Sequence, residues 1–155
     1  MKRTLNWNWL HVEVDGVTRK KTYIDSGVLI TAFQGIESIS IRANQILNDE
    51  NREFASSRFV QLEVLPKAIF NKQQDETEFY ETFFNAVNHW ATDLEQILQN
   101  AQQIACTYGL AGMDAIHVAA ALQIKADQLI TTEKPTKPMH RVMEIEIISI
   151  YSTPQ

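Results

Sequence analysis

Four acidic side chains carry the chemistry this sequence offers: Asp25 in Thr22-Tyr-Ile-Asp-Ser-Gly, Glu63 in Phe59-Val-Gln-Leu-Glu-Val-Leu-Pro, Asp114 in Gly112-Met-Asp-Ala-Ile-His and Glu133 in Leu129-Ile-Thr-Thr-Glu-Lys. Carboxylates brought together repel one another, and a hard divalent cation relieves the repulsion by taking their oxygens as ligands. An ion so held supports phosphodiester hydrolysis. Folding must therefore bring each acid to the same side of one sheet.

The hydrophobic pattern supplies such a sheet. Lys21-Thr-Tyr-Ile-Asp is a short β-prone run, and Val28 to Phe33 turns to helical spacing, so Asp25 falls at a strand-to-helix junction. Apolar residues at Ile36, Ile39, Ala43, Ile46 and Leu47 predict an amphipathic helix over 36–47. Arg52 to Ser57 reads as a weak short strand. A helix then runs from Arg58 to Pro66 with Glu63 in apolar surroundings, where an idle carboxylate is costly to bury. Asp75 to Trp90 reads as one long aromatic-rich helix with acids at its start, where the helix dipole favours them. Leu94 to Tyr108 follows, capped by Thr92 or Asp93 and ended by Gly109. Asp114 to Ile124 is a small-residue helix, Asp127 to Thr132 a buried strand, and Ile145 to Ile150 a last strand.

Strands separated by helices predict a mainly parallel sheet covered on both faces. Ligands of such sheets bind beyond the carboxyl ends of the strands. Asp25 and Glu133 follow strands and Asp114 opens a helix, so three of the four acids belong on that edge. Glu63 joins them if its helix crosses the same edge.

At 155 residues and 45% hydrophobic content the chain fits one domain with a full core. Residues 1–20 read as an N-terminal extension, a β-ribbon by its Asp15-Gly16 hairpin signal, and 21–155 as the main domain. In the extension, Trp7 and Trp9 fall on one strand face, for burial or for a partner. No apolar stretch approaches the ~20 residues of a membrane span and no secretory signal opens the chain, which predicts a cytoplasmic protein without a membrane partner. The single Cys106 has no ligand-spaced neighbour and reads as a buried helix residue.

The net charge of -5 argues mildly against a nucleic-acid partner, but its distribution softens the objection. Residues 73–124 hold seven acids and no Lys or Arg, whereas the remainder carries 14 basic and 12 acidic residues. Basic residues gather at Arg19-Lys20-Lys21 and around Lys134, Lys137 and Arg141, as phosphate contacts or as ordinary solvated surface. Pro135 and Pro138 predict an ordered loop rather than a helix for the second cluster.

Tyr-Ile-Asp-Ser-Gly-Val-Leu-Ile, the isolated Glu63, Met-Asp-Ala-Ile-His-Val-Ala-Ala-Ala-Leu and Ala126-Asp-Gln-Leu-Ile-Thr-Thr-Glu resemble, in order and spacing, the PIN domain nucleases, which include VapC-type toxins. The resemblance covers about residues 21–150 and is most specific in its third motif. It implies a three-layer α/β/α domain of Rossmann-like type with a central, mainly parallel sheet, hydrolysis of RNA phosphodiesters with Mg2+ or Mn2+ as cofactor, and a cognate antitoxin as a partner if the chain is a toxin. It also implies that Asp25, Glu63, Asp114 and Glu133 are the catalytic and metal-binding acids. Glu133 stands where the family usually has Asp, one methylene further out. Asp25 and Asp114 would hold the ion, Glu63 complete its shell or accept the water's proton, and Glu133 anchor a second ion or a water.

Ser26, Thr131, Thr132, Lys134, Lys137 and Arg141 are the candidate substrate contacts, the hydroxyls having turn or cap bonds as an alternative. His117, one helical turn from Asp114, reads as a hydrogen-bonded, semi-buried residue before a ligand or base. His140 is a candidate for phosphate contact, and His89 and His11 have no evident partner. Each acid also has a plainer use: Asp25 and Asp114 as helix caps, Glu63 as a partner for Lys67. The aromatic helix at 75–90 serves the core or the face of a homodimer. The rival to a nuclease is an inactive domain of the same fold that binds nucleic acid or protein.

Overall fold

Strand β1 (Lys20–Ile24) is the centre of the molecule because its last three residues are wholly buried and it has a neighbour on each side. A computed structural model describes residues 18–35 and 38–152 of the chain. β2 (Arg52–Ser57) pairs on one side of β1 and β4 (Gln128–Thr131) on the other, with β3 (His89–Ala91) and β5 (Glu146–Ser149) at the edges. All four pairings are parallel, so the order is β3-β2-β1-β4-β5. The three-layer expectation holds.

The order explains the layers. From β1 the chain steps outward through α1 (Ser26–Gln34) and α2 (Ser38–Leu47) to β2, then through α3 (Arg58–Phe70) and α4 (Gln74–Ala86) to β3. It returns through α5 (Leu94–Tyr108) and α6 (Gly112–Gln123) to β4, on the far side of β1. Parallel crossovers are right-handed, so reversing the direction of travel moves the helices to the opposite face. Accordingly α1 to α4 pack on one another, while α5 packs on α6 and α6 lies across β2, β3 and β4. Ala115, Val118, Ala119, Ala120 and Ala121 give α6 the flat buried face this needs. Among the described residues no single helix is long and apolar enough to cross a membrane.

Several sequence expectations change. The predicted helix 75–90 ends at Ala86, and His89–Ala91 becomes an edge strand paired with Ala55–Ser57. Val87 already has extended backbone, and Trp90 packs on Phe84 with ring centroids 6.0 Å apart, so tertiary pairing wins over helical spacing. Phe79, Tyr80, Phe83 and Phe84 are buried, which makes α4's aromatics core rather than a dimer face. α3 does not stop at Pro66 but continues to Phe70. Pro66 and Leu62 lie on its exposed side, where water meets the loss of the proline amide. Cys106 is exposed, not buried.

Helix α5 begins at an Asp93 cap that accepts from the amide of Gln96 and ends at Gly109, whose φ of 71° suits glycine. The loop after β4 closes in a 3-10 turn, Pro138–Arg141. Ile36 and Glu37 fall outside the described residues, so α2 is described from Ser38. The ribbon expected for the extension also lies outside them, as do Trp7, Trp9 and His11, while Lys20 already belongs to β1.

Candidate active site

The direction of strand order reverses at β1, and the crevice beyond the carboxyl ends of β1 and β4 is the switch point where open α/β sheets bind ligands. Asp25 leaves β1 and Glu133 leaves β4 at that place. The amide of Asp25 bonds the carbonyl of Ile130 (3.0 Å), which ties the two exits together.

Asp25 is the N-cap of α1, as its plainer reading had it, but its carboxylate serves two elements. Oδ1 accepts from the Ser26 amide and Oδ2 from the Thr131 hydroxyl, each at 2.8 Å. The Thr131 Oγ1 in turn accepts from the amide of Glu133 at 3.0 Å. One buried hydroxyl thus positions two of the four acids. Thr131→Val keeps the side-chain shape while removing both bonds, and should cost about 1–3 kcal/mol in urea unfolding.

Gly27 makes the approach of α1 to β4 possible. A Cβ there would lie 2.3 Å from Thr132 Oγ1, 3.2 Å from its Cγ2 and 3.3 Å from its Cβ, so turning the hydroxyl aside still leaves the threonine crowded. Gly27→Ala should therefore push the start of α1 away from the strand, destabilising the protein by about 1–3 kcal/mol in the same unfolding measurement.

Glu63 reaches the site from α3. Its side chain is 35% exposed rather than set in an apolar environment, and it does not pair with Lys67. Oε1 accepts from Ser26 Oγ at 2.7 Å and from His117 Nε2. The His117 bond, opposed by partial burial and helped by Ser26, holds the Glu63 carboxyl below its ordinary range.

Asp114 lies in the first turn of α6, two residues after its start, and the N-cap is Ala111, so Asp114 is not the cap. Its carboxyl takes no hydrogen bond among the described residues. Burial pushes its pKa up, and the charges of Glu133, Asp25 and Glu63 push it further, against a smaller downward pull from His117. The four acids thus share one electrostatic field. No lysine or arginine pairs with any of them among the described residues. Nor, among those residues, do three His, Cys, Asp or Glu side chains already converge on one point as a finished cation cage. The donor set suits a hard divalent ion, and holding one takes side-chain movement from this arrangement.

His117 is almost wholly buried. Burial lowers its pKa, but the Glu63 bond and the charges of Asp25, Glu63 and Asp114 outweigh that and the net shift is upward. Its Nδ1 bonds the Tyr23 hydroxyl (2.9 Å), which bonds Ser57 Oγ (2.8 Å), and Asp25 Oδ1 lies 3.8 Å from Nε2. Neither Tyr23 nor Ser57 was a sequence candidate. Their one signal was a tyrosine in a buried strand two residues before an acid.

The remaining candidates divide. Lys134, Lys137 and Arg141 are exposed on the segment that follows Glu133; Lys134 Nζ sits 5.9 Å from the Tyr151 ring centroid, and Arg141 donates to the carbonyl of Tyr108 at 3.2 Å. His140 Nε2 is bonded to the Glu133 carbonyl (2.9 Å), which makes it a brace of the loop. His89 has a partner after all, Glu53 at 2.8 Å.

The fold is an α/β/α domain, and beside its switch point the charges of Asp25, Glu63 and Glu133 all act on Asp114. The chain belongs to the PIN domain family, whose model matches residues 22–135, well over half of it. No curated protein sequence matches the chain. Among solved structures it is similar to a toxin-antitoxin complex from Klebsiella pneumoniae, with 22% identity, a TM-score of 0.65 and coverage of 85% of this chain and 99% of that one. It is likewise similar to VapBC-1 from nontypeable Haemophilus influenzae (20% identity, TM-score 0.61, the same coverages) and to FitAcB from Neisseria gonorrhoeae (14%, 0.61, the same coverages). At these identities the likeness is one of fold.

Proposed function

We propose that the protein is a metal-dependent endoribonuclease that hydrolyses RNA phosphodiester bonds with Mg2+ or Mn2+, and that it is the toxin of a toxin–antitoxin pair. The observation that carries the reading is the Asp114 carboxyl, without a hydrogen bond among the described residues and pushed up by burial and by three neighbouring acids against a smaller pull from His117. Idle acids in such a position destabilise a fold; a cation turns them to use.

Asp25, Asp114 and the free Oε2 of Glu63 would hold the ion, and Glu133 a second ion or a bound water. When bound, the ion acidifies the attacking water and offsets charge that develops on the phosphate oxygens. Where Oε2 of Glu63 is not spent on the ion it is the oxygen able to take the water's proton instead, since it has no hydrogen-bond partner among the described residues. Ser26 and Thr131 orient Glu63 and Asp25 rather than the substrate. Lys134, Lys137 and Arg141 supply the positive surface for the RNA backbone next to the acids.

The toxin reading draws on the Klebsiella complex, and a cognate antitoxin is the partner it calls for. A homodimer would draw on the exposed apolar side of α3, where Leu62, Ile69 and Phe70 are 69%, 56% and 84% exposed. A cytoplasmic setting suits an enzyme acting on RNA. The second reading, an inactive PIN domain that binds nucleic acid or protein, draws on Glu133 in place of Asp and on Glu63 being engaged by His117.

Titration with Mn2+ followed by cleavage of a mixed single-stranded RNA pool separates the two readings, with Asp25→Asn and Asp114→Asn as controls. Cleavage by the wild type alone supports the nuclease. Equal inertness of all three proteins leaves the binding module.

A further inference from the structure

We infer that His117, braced by Tyr23 and Ser57, is a positioning residue that fixes Oε1 of Glu63 from inside the protein, so that Oε2 is the oxygen offered to the ion and the attacking water. The inference rests on the nuclease reading above and assigns a task to buried polar groups which that reading leaves unused.

The geometry is a chain of hydrogen bonds across four elements. Ser57 at the end of β2 bonds Tyr23 on β1, Tyr23 bonds Nδ1 of His117 on α6, and Nε2 of His117 bonds Glu63 on α3. Ser57 and Tyr23 are 0% exposed and His117 2%, whereas Glu63 is a third open to solvent. Three buried polar side chains are costly unless each is satisfied, and phenylalanine, leucine and alanine would fill the same space without that demand. What the chain accomplishes is to grip, from inside the protein, a carboxylate on a solvent-exposed stretch of helix. Ser26 grips the same oxygen from α1, so two donors hold Oε1 and none among the described residues holds Oε2.

The same bonds exclude His117 from direct contact with an ion. An ionised Glu63 only accepts, so Nε2 carries the proton it donates, and Nδ1 is committed to Tyr23 whichever way that hydroxyl turns. Burial keeps the phenol of Tyr23 far above its ordinary pKa, so it stays a neutral link. Asp25 Oδ1, at 3.8 Å from Nε2, is too distant for a hydrogen bond.

The test compares wild type with Tyr23→Phe, His117→Gln and His117→Leu. Mn2+ affinity is measured by the electron paramagnetic resonance signal of free Mn2+, thermal unfolding is followed without metal, and kcat and KM are measured on single-stranded RNA. Residues that orient metal ligands cost roughly 10–100-fold in affinity or activity when lost. Tyr23→Phe is expected to bind Mn2+ about 10-fold more weakly and to lose kcat by about as much, with KM for RNA unchanged because the RNA contacts lie elsewhere. His117→Gln, which retains an N–H donor, should keep more of both than His117→Leu. Should His117→Leu fail to fold, Tyr23→Phe, which loses a single hydroxyl, carries the comparison. Folded Tyr23→Phe and His117→Gln with wild-type Mn2+ affinity and kcat would reduce the chain to a structural role and overturn the inference while the nuclease stands. A wild type that neither binds Mn2+ nor cleaves RNA would remove the nuclease reading, and this inference with it.

Discussion

Asp114→Asn is expected to make the metal-free protein more stable and the enzyme nearly inert. In the folded chain this carboxyl is partly buried, has no hydrogen bond among the described residues, and faces the charges of Glu133, Asp25 and Glu63. An acid whose pKa is raised on folding is worse off ionised in the native state than in the unfolded chain. At neutral pH it therefore subtracts from stability, and the penalty fades as the pH falls through its raised native pKa. Asparagine keeps the shape and removes the charge. Without metal, its melting temperature should exceed that of wild type by about 2 °C or more, the scale on which modest charge relief acts in a domain of this size.

With Mn2+ the order should reverse. Binding to the native state raises the wild-type melting temperature, and the variant, which has lost one of the proposed acidic ligands, should gain far less. RNA cleavage should fall by roughly 100-fold or more, since even groups that only orient ligands cost 10–100-fold. Scanning both proteins with and without Mn2+, alongside a cleavage assay, checks the claim. A variant less stable than wild type without metal would mean that Asp114 is held by favourable contacts, not opposed by its neighbours.

The framework was legible in the sequence wherever local pattern and tertiary demand agree. The run into Asp25, the buried strand ahead of Glu133 and the small-residue helix after Asp114 each bury a continuous apolar face, and each stands where it was expected. The reading failed where packing overrides local preference. His89-Trp-Ala fits a helix until the edge of β2 offers it partners, and Pro66 is tolerated because it falls on a wet face. Glu63 is the clearest example within the site. Its neighbours in sequence are apolar, but Leu62 and Pro66 on its side of the helix are exposed, and its partners Ser26 and His117 lie 37 and 54 residues away along the chain. No spacing rule reaches that far. Tyr23 and Ser57 escaped because a buried hydroxyl in a strand looks like a core residue until its hydrogen bond is seen.

Asp25 should separate its structural and chemical tasks when replaced in two ways. Asn retains an oxygen able to accept from the Ser26 amide, and its amide group can face Thr131 by turning that hydroxyl into an acceptor. Ala retains neither, so α1 loses its side-chain cap and Thr131 its bond to residue 25, while the backbone tie to Ile130 remains. Both variants lose the carboxylate and should lose RNA cleavage and tight Mn2+ binding alike. They should differ in stability: Asp25→Ala by about 1–2 kcal/mol below wild type in urea unfolding, on the scale of a lost N-cap, and Asp25→Asn by clearly less. The comparison matters because inactivity on its own proves little when a residue also holds the fold together. An Asn variant as stable as wild type, unable to bind Mn2+ and unable to cleave, assigns the loss to the missing charge. An Asn variant that still cleaves RNA would show that the charge of Asp25 is needed only as a cap, and the site would have to be sought away from the switch point.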